Sequence, residues 1–147
     1  MNILDKSEIL SDLSIQYINF INSIGCGENT EGKNACCLFA DACKKNFNGR
    51  WVAQNRDSFV HDLLSVYENH GSWKIIPIDK MIISDNNSVV LWIHIEAKNF
   101  GRNTAIVILR YDSDNLIKEI IEVFSPIQNE YEFELKKQSR LQLKLEW

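Results

Sequence analysis

The first seventy residues carry apolar side chains at helical spacing, and most of the remaining chain carries them at strand spacing. Leu10, Leu13, Tyr17, Ile21 and Ile24 recur at intervals of three or four, which lines one face of a helix. Asp5 with Glu8 has the spacing of a capping box, and Gly25 fits the helix end. The polar residues 27–33 read as a loop. A second, shorter helix is expected after it, with Ala35, Leu38, Phe39 and Ala42 on its apolar side. Asn48-Gly49 predicts a tight turn, followed by a short strand over residues 50–53. Asn55 or Asp57 can cap a third helix that buries Phe59, Val60, Leu63, Leu64 and Tyr67 and stops at His70-Gly71.

From Trp73 onward the period changes to two. Strands are expected over residues 73–84, 89–98, 104–111 and 117–124, with polar turns at 85–87, 99–103 and 112–115. Successive strands joined by short turns predict an antiparallel meander, and helices before strands predict an α+β fold. Beyond residue 126, Tyr131, Phe133 and Leu135 alternate with glutamates, and Leu141, Leu143 and Leu145 alternate with polar residues. That pattern predicts a C-terminal β-hairpin, extending an edge of the sheet or reaching a partner subunit. Residues 1–126 are thus expected to form the domain proper, and 127–147 a strand extension of it.

A chain of 147 residues fits one domain, which buries roughly 70% of the surface its unfolded form exposes. The net charge is -4, and the 16 Lys and Arg are scattered; Lys44-Lys45 and Lys136-Lys137 are only short pairs. Nucleic-acid binding needs a basic footprint, so that class drops out. Residues 1–8 lack the apolar segment of a signal peptide, and no run approaches the roughly 18 apolar residues of a membrane helix. A cytoplasmic protein with no membrane partner is expected. Cys26, Cys36, Cys37 and Cys43 match no C-x-x-C signature and read as small buried apolar side chains. The alternative is a reactive thiol at Cys36 or Cys37, with no neighbour to lower its pKa. His61, His70 and His94 are far apart in sequence, so no metal site is expected, and His61 and His70 read as exposed. Nothing resembles a phosphate loop or a G-x-S-x-G elbow, and no cofactor is expected.

The run 38–41, Leu-Phe-Ala-Asp, resembles the LFADD helix end of the SnoaL-like and ketosteroid-isomerase branches of the nuclear-transport-factor-2-like superfamily. Residues 55–60 are similar to that superfamily's G-R-[DE]-A-[IF] helix start, and 105–111 with 117–124 resemble its closing hairpin. The resemblance covers about residues 5–126. It implies a curved antiparallel sheet, cone-shaped (cystatin-like), stoppered by three N-terminal helices around an apolar pocket. Ketosteroid isomerases place a tyrosine, a base and a protonated acid in that pocket. The tyrosine position falls on Tyr17, whereas the base position falls near Phe47 and the acid position near Val107. Isomerase chemistry by that mechanism is therefore not expected.

Within this frame Glu122 shares parity with Ile120 and Phe124, which the resemblance places on the concave face. A carboxylate among apolar neighbours has a raised pKa and serves as acid or base; at an edge it would instead reach water. Tyr17 is either a core tyrosine or a polar handle. Phe39, Phe47, Trp51, Phe59, Leu63, Ile95, Val107, Ile120 and Phe124 complete the expected pocket wall. Trp92, His94 and Glu96 lie opposite Leu91, Ile93 and Ile95, which puts Trp92 and His94 on the convex face with Arg110, where a homodimer interface is expected. With the parity shifted by one, His94 and Glu122 would instead be an acid–base pair. The leading expectation is a binder of a small hydrophobic molecule. The alternatives are a SnoaL-like cyclase, isomerase or dehydratase using Glu122 or His94 with Tyr17, and a protein–protein interaction module.

Overall fold

The structure, a computed structural model, describes residues 3–127; the expected C-terminal hairpin lies outside them. Helix α1 spans Ile3–Gly25, α2 Ala35–Leu38 and α3 Arg56–His70. The strands are β1 Phe39–Phe47, β2 Arg50–Ala53, β3 Trp73–Ile83, β4 Ser88–Ala97, β5 Gly101–Tyr111 and β6 Ile117–Pro126. They form one six-stranded sheet in the order β2-β1-β6-β5-β4-β3. The α+β architecture, the meander from β3 to β6 and the cap of α3 at Asn55 agree with the reading of the sequence.

Three expectations need correction. Helix α1 begins at Ile3, so Asp5 lies inside it and not at its cap. The second helix is a single turn, and Phe39 opens a strand where helix was expected. Alanines and lysines in residues 40–45 suit a helix locally, but pairing with β6 outweighs that preference. The sheet is consequently mixed, because β1 runs parallel to β6 while every other pair is antiparallel.

Backbone irregularities shape the sheet. Register shifts occur at Pro77/Asp79, at Arg110/Tyr111 and twice along β1, and such bulges bend and twist a strand. The non-glycine residues with positive φ among the described residues are Asn34, Asn48, Asn87 and Asn115, all at turns. Asparagine enters that region more readily than other side chains.

Helix α1 lies along the edge strand β3 and is pinned to it at both ends. Asn22 copies a strand partner: its Oδ1 accepts from Ile75 N at 2.7 Å and its Nδ2 donates to Ile75 O at 3.1 Å. Trp73 Nε1 donates to Ile21 O at 3.2 Å, and near the other end Lys80 Nζ donates to Ser11 Oγ at 2.6 Å. Gly25 is required here, since a Cβ would sit 2.5 Å from the Trp73 carbonyl and indole.

The core lies between the helices and one face of the sheet, and its centre is aromatic. Phe39 is fully buried, with ring centroids of Phe59, Phe20 and Tyr17 at 4.9, 5.2 and 6.2 Å. It therefore joins β1, α1 and α3 through one side chain. Phe39→Ala is expected to cost about 3–5 kcal/mol of stability, the usual range for a buried phenylalanine. A urea midpoint close to that of the unmodified protein would contradict the assignment.

Candidate functional site

Two of the segments on which the family resemblance rested, 38–41 and 55–60, touch each other. Arg56, at the start of α3, pairs with Asp41 of β1 at 2.7 Å and donates through Nη1 to the Phe39 carbonyl at 3.2 Å. Asp41 is largely exposed, so the pair adds little stability, but it fixes α3 over β1. The Asn55 capping box, with Oδ1 accepting from Ser58 N at 2.8 Å, starts α3 at this point. Phe59, one turn in, is thereby directed at β1.

Register then assembles the site. Phe47 pairs with Glu122, and Glu122 pairs with Val107, so the three form one row across β1, β6 and β5. Glu122 therefore lies between the two positions where the resemblance would have put a base and an acid. Asn48 sets this alignment: its backbone N donates to Glu122 O at 2.9 Å, and its side chain exchanges hydrogen bonds of 2.7 and 3.1 Å with the Phe124 backbone. The sequence marked Asn48 only as a turn residue.

Glu122 is buried, at 7% exposure, alongside Ile120 and half-buried Phe124, as its parity predicted; the edge reading is overturned. It does not stand among apolar groups alone. Lys45 of β1 is 8% exposed, and its Nζ lies 3.6 Å from Glu122 Oε1. The ammonium also sits 5.7 Å from the Phe47 ring centre and 5.6 Å from that of Phe59. Sequence reasoning missed Lys45 because it placed the preceding residues in a helix. The signal was present as the alternation of Cys43, Lys45 and Phe47, which a strand turns to one side.

The Glu122 charge reaches the hydroxyl of Tyr17 and the Lys45 charge the thiol of Cys43, and the hydroxyl of Tyr111 lies near that of Tyr17. Tyr17 is buried, and its phenol is held well above its ordinary pKa by burial and then by the Glu122 charge. Burial likewise raises Tyr111, whose hydroxyl has no hydrogen-bond partner among the described residues. Burial pushes the Cys43 thiol up to about 12, against the opposing pull of Lys45. All three groups are thus neutral near neutral pH.

Of the other expected wall residues, Phe59, Leu63, Val107 and Ile120 are buried and Ile95 is half-buried. Phe47 and Phe124 are half-buried and pack at 5.4 Å. Trp51 is a correction: it is 48% exposed, under Lys44 Nζ at 5.1 Å. A bulge at Lys45/Asn46 pairs Trp51 with Asn46, the neighbour of Lys45 that faces the other way. Trp73 is half-buried against Tyr67. His61 and His70 are exposed, as expected.

His94 is not brought to Glu122. It stands on the opposite face from Leu91 and Ile93, beside Trp92 at 6.0 Å, so the acid–base pairing is overturned. It is also buried, at 3% exposure. Cys26, Cys36 and Cys37 are exposed and only Cys43 is buried, which corrects the reading of four buried thiols. A hydrogen bond with Cys36 holds the Cys37 thiol above its ordinary range. Among the described residues no group of three or more His, Cys, Asp or Glu could hold a metal ion, and no helix is long and apolar enough to cross a membrane. Two open grooves, of about 610 and 420 Å³, lie away from this site, one against Trp73, Lys98 and Arg102 and the other against Lys44, Arg110 and Lys118.

No protein-family model and no curated protein matches the chain. Solved structures do match in shape. A candidate SnoaL-like polyketide cyclase from Jannaschia sp. CCS1 superposes with a TM-score of 0.66 at 7% identity, over 80% of this chain and 86% of that one. An NTF2-like protein of unknown function from Exiguobacterium sp. 255-15 gives 0.59 at 13% identity, over 87% and 100%. A steroid delta-isomerase from Pseudomonas aeruginosa gives 0.57 at 13% identity, over 92% and 93%. The chain has the nuclear-transport-factor-2-like fold, in the form shared with SnoaL-like and steroid-isomerase structures. At these identities the likeness establishes the fold and leaves the chemistry to the residues of this chain.

The raised thiol and phenols set a sign for the pH dependence of stability. The folded state holds these protons above the ordinary values of 9.0 for the thiol and 10.0 for the phenols. Their contribution is fully present below about pH 9. It is lost as pH rises from there, because the unfolded chain releases its protons first. Urea titrations at increasing pH should show unfolding free energy falling above about pH 9, and a flat profile would contradict these environments.

Proposed function

We propose that the chain binds a small, mainly apolar molecule in its cone, at the Lys45–Glu122 pair. The buried pair itself carries the reading. Removing two charges from water costs several kcal/mol per ion, and apolar replacements are often as stable or more so. An ion pair placed among Phe47, Phe59 and Tyr17 is therefore poorly explained as a stability device. It suits a polar anchor in an apolar site, the usual composition of a ligand pocket. Phe47 and Phe124 are half-buried and in contact at 5.4 Å, and they would part for a ligand to enter. The fold likeness to a steroid delta-isomerase and a candidate polyketide cyclase is consistent with a cyclic hydrophobic ligand.

The enzymatic form of the same reading is a cyclase, isomerase or dehydratase. Glu122 would move the proton, and the neutral phenol of Tyr17 would donate to a developing oxyanion. His94 has no part in it.

A naphthalene-ring probe tests the binding reading. NMR titration should move the signals of Phe47, Phe59 and Glu122 saturably. Movement confined to the outer sheet face would instead favour an interaction module.

A second, compatible reading rests on that outer face. Ile106 and Val123 pair across β5 and β6 and remain 42% and 59% exposed, beside half-buried Trp92 and exposed Arg110. An apolar band of this kind is suited to a homodimer through the sheet. His94, being buried, offers it no surface. Sedimentation should show a dimer that Val123→Glu converts to monomer, and a monomeric parent protein would remove this reading.

A further inference from the structure

Cys36 and Cys37 stand side by side on the single turn of α2, and both are exposed free thiols. Successive residues of a helix point about 100° apart, so immediate neighbours do not ordinarily face each other. Here the two thiols are nevertheless hydrogen-bonded to one another. The turn that carries them is closed by backbone bonds, from Cys37 N to Asn34 O at 3.0 Å and from Phe39 N to Ala35 O. Two sulfurs are thus presented together at the surface, on a backbone held at both sides.

Adjacency decides what such a pair can do. A disulfide spans Cα atoms about 4.4–6.8 Å apart, whereas the trans peptide between these two holds them at about 3.8 Å. Direct S–S closure is therefore strained, and the dithiol is the favoured form. A structural zinc ion takes four ligands, and among the described residues no group of three His, Cys, Asp or Glu could hold a metal. What suits the pair is a soft atom that bonds two sulfurs, bridges them without an S–S bond, and brings its remaining substituent with it. Trivalent arsenic bonded to an organic group has those properties.

We infer that the Cys36–Cys37 dithiol is a binding site for trivalent organoarsenicals. With an arsenoxide, R–As=O, each sulfur forms one As–S bond, both thiol protons leave with the oxide as water, and arsenic stays trivalent. No oxidant or reductant is consumed. Cys37 is held above its ordinary thiol range, which slows reagents that seek a thiolate, but the departing oxide itself takes the proton here. The second As–S bond closes within one molecule, so the chelate is favoured over a single-thiol adduct by roughly a hundredfold or more.

Phenylarsine oxide, added to the full reduced chain and followed by intact-protein mass spectrometry, tests this. One adduct, formed with loss of one water, is expected. It should survive excess glutathione, a monothiol, and be removed by dimercaptopropanol, a dithiol. Cys36→Ser and Cys37→Ser should each lower retention against glutathione at least tenfold, while Cys26→Ser leaves it unchanged. Both positions are exposed, so serine keeps the fold, which circular dichroism checks. An adduct that glutathione strips from the parent protein, that either serine variant of the pair retains, or that Cys26→Ser loses would overturn the inference.

Discussion

The parallel pairing of β1 with β6 is the contact on which the rest of this structure depends. It joins a strand early in the chain to its last described strand, and it sets Lys45 beside Ile120 and Phe47 beside Glu122. Without it the meander from β3 to β6 would present Glu122 on an open edge, in water. With it, the edge is covered, the carboxylate is desolvated, and the charge that answers it comes from the covering strand. The same pairing carries Phe39 under α1 and α3, so the aromatic centre and the polar pair are consequences of a single alignment.

Short polar side chains hold that alignment. Asn48 and Asn22 each occupy a place where a strand partner would otherwise bond, the first against Phe124 and the second against Ile75. Each satisfies a backbone donor and acceptor with one amide, which is why a turn residue and a helix residue help to determine where a strand lies. Arg56 performs a related task at the other end of β1. The site is thus built on the rigid sheet, with its supports in turns and helix ends.

Likeness of shape and likeness of chemistry separate in this chain. Its backbone superposes on a steroid delta-isomerase at 13% identity, while the positions near which the sequence resemblance suggested a base and an acid are the apolar Phe47 and Val107. A carboxylate stands between them, on the neighbouring strand, with a lysine 3.6 Å away. The face of the sheet that packs against the helices buries what points toward it, and here that includes an ion pair.

Patterns that depend on neighbours in the chain were legible in the sequence. The buried stripe of α1, the cap and face of α3, the strands from Trp73 onward and the inward parity of Glu122 all come from periods of 3.6 or two. Tertiary pairing decided the rest. Residues 40–45 suit a helix by composition, and the pairing of β1 with β6, more than seventy residues away, and with β2 makes them a strand. Lys45 is half of a short basic pair by sequence and is buried beside Glu122 by register. A one-residue bulge turns Trp51 outward. Local propensity is worth tenths of a kcal/mol per residue, less than the hydrogen bonds and burial that a sheet partner supplies. Where the two disagree, the distant partner prevails, and no window of the sequence contains it.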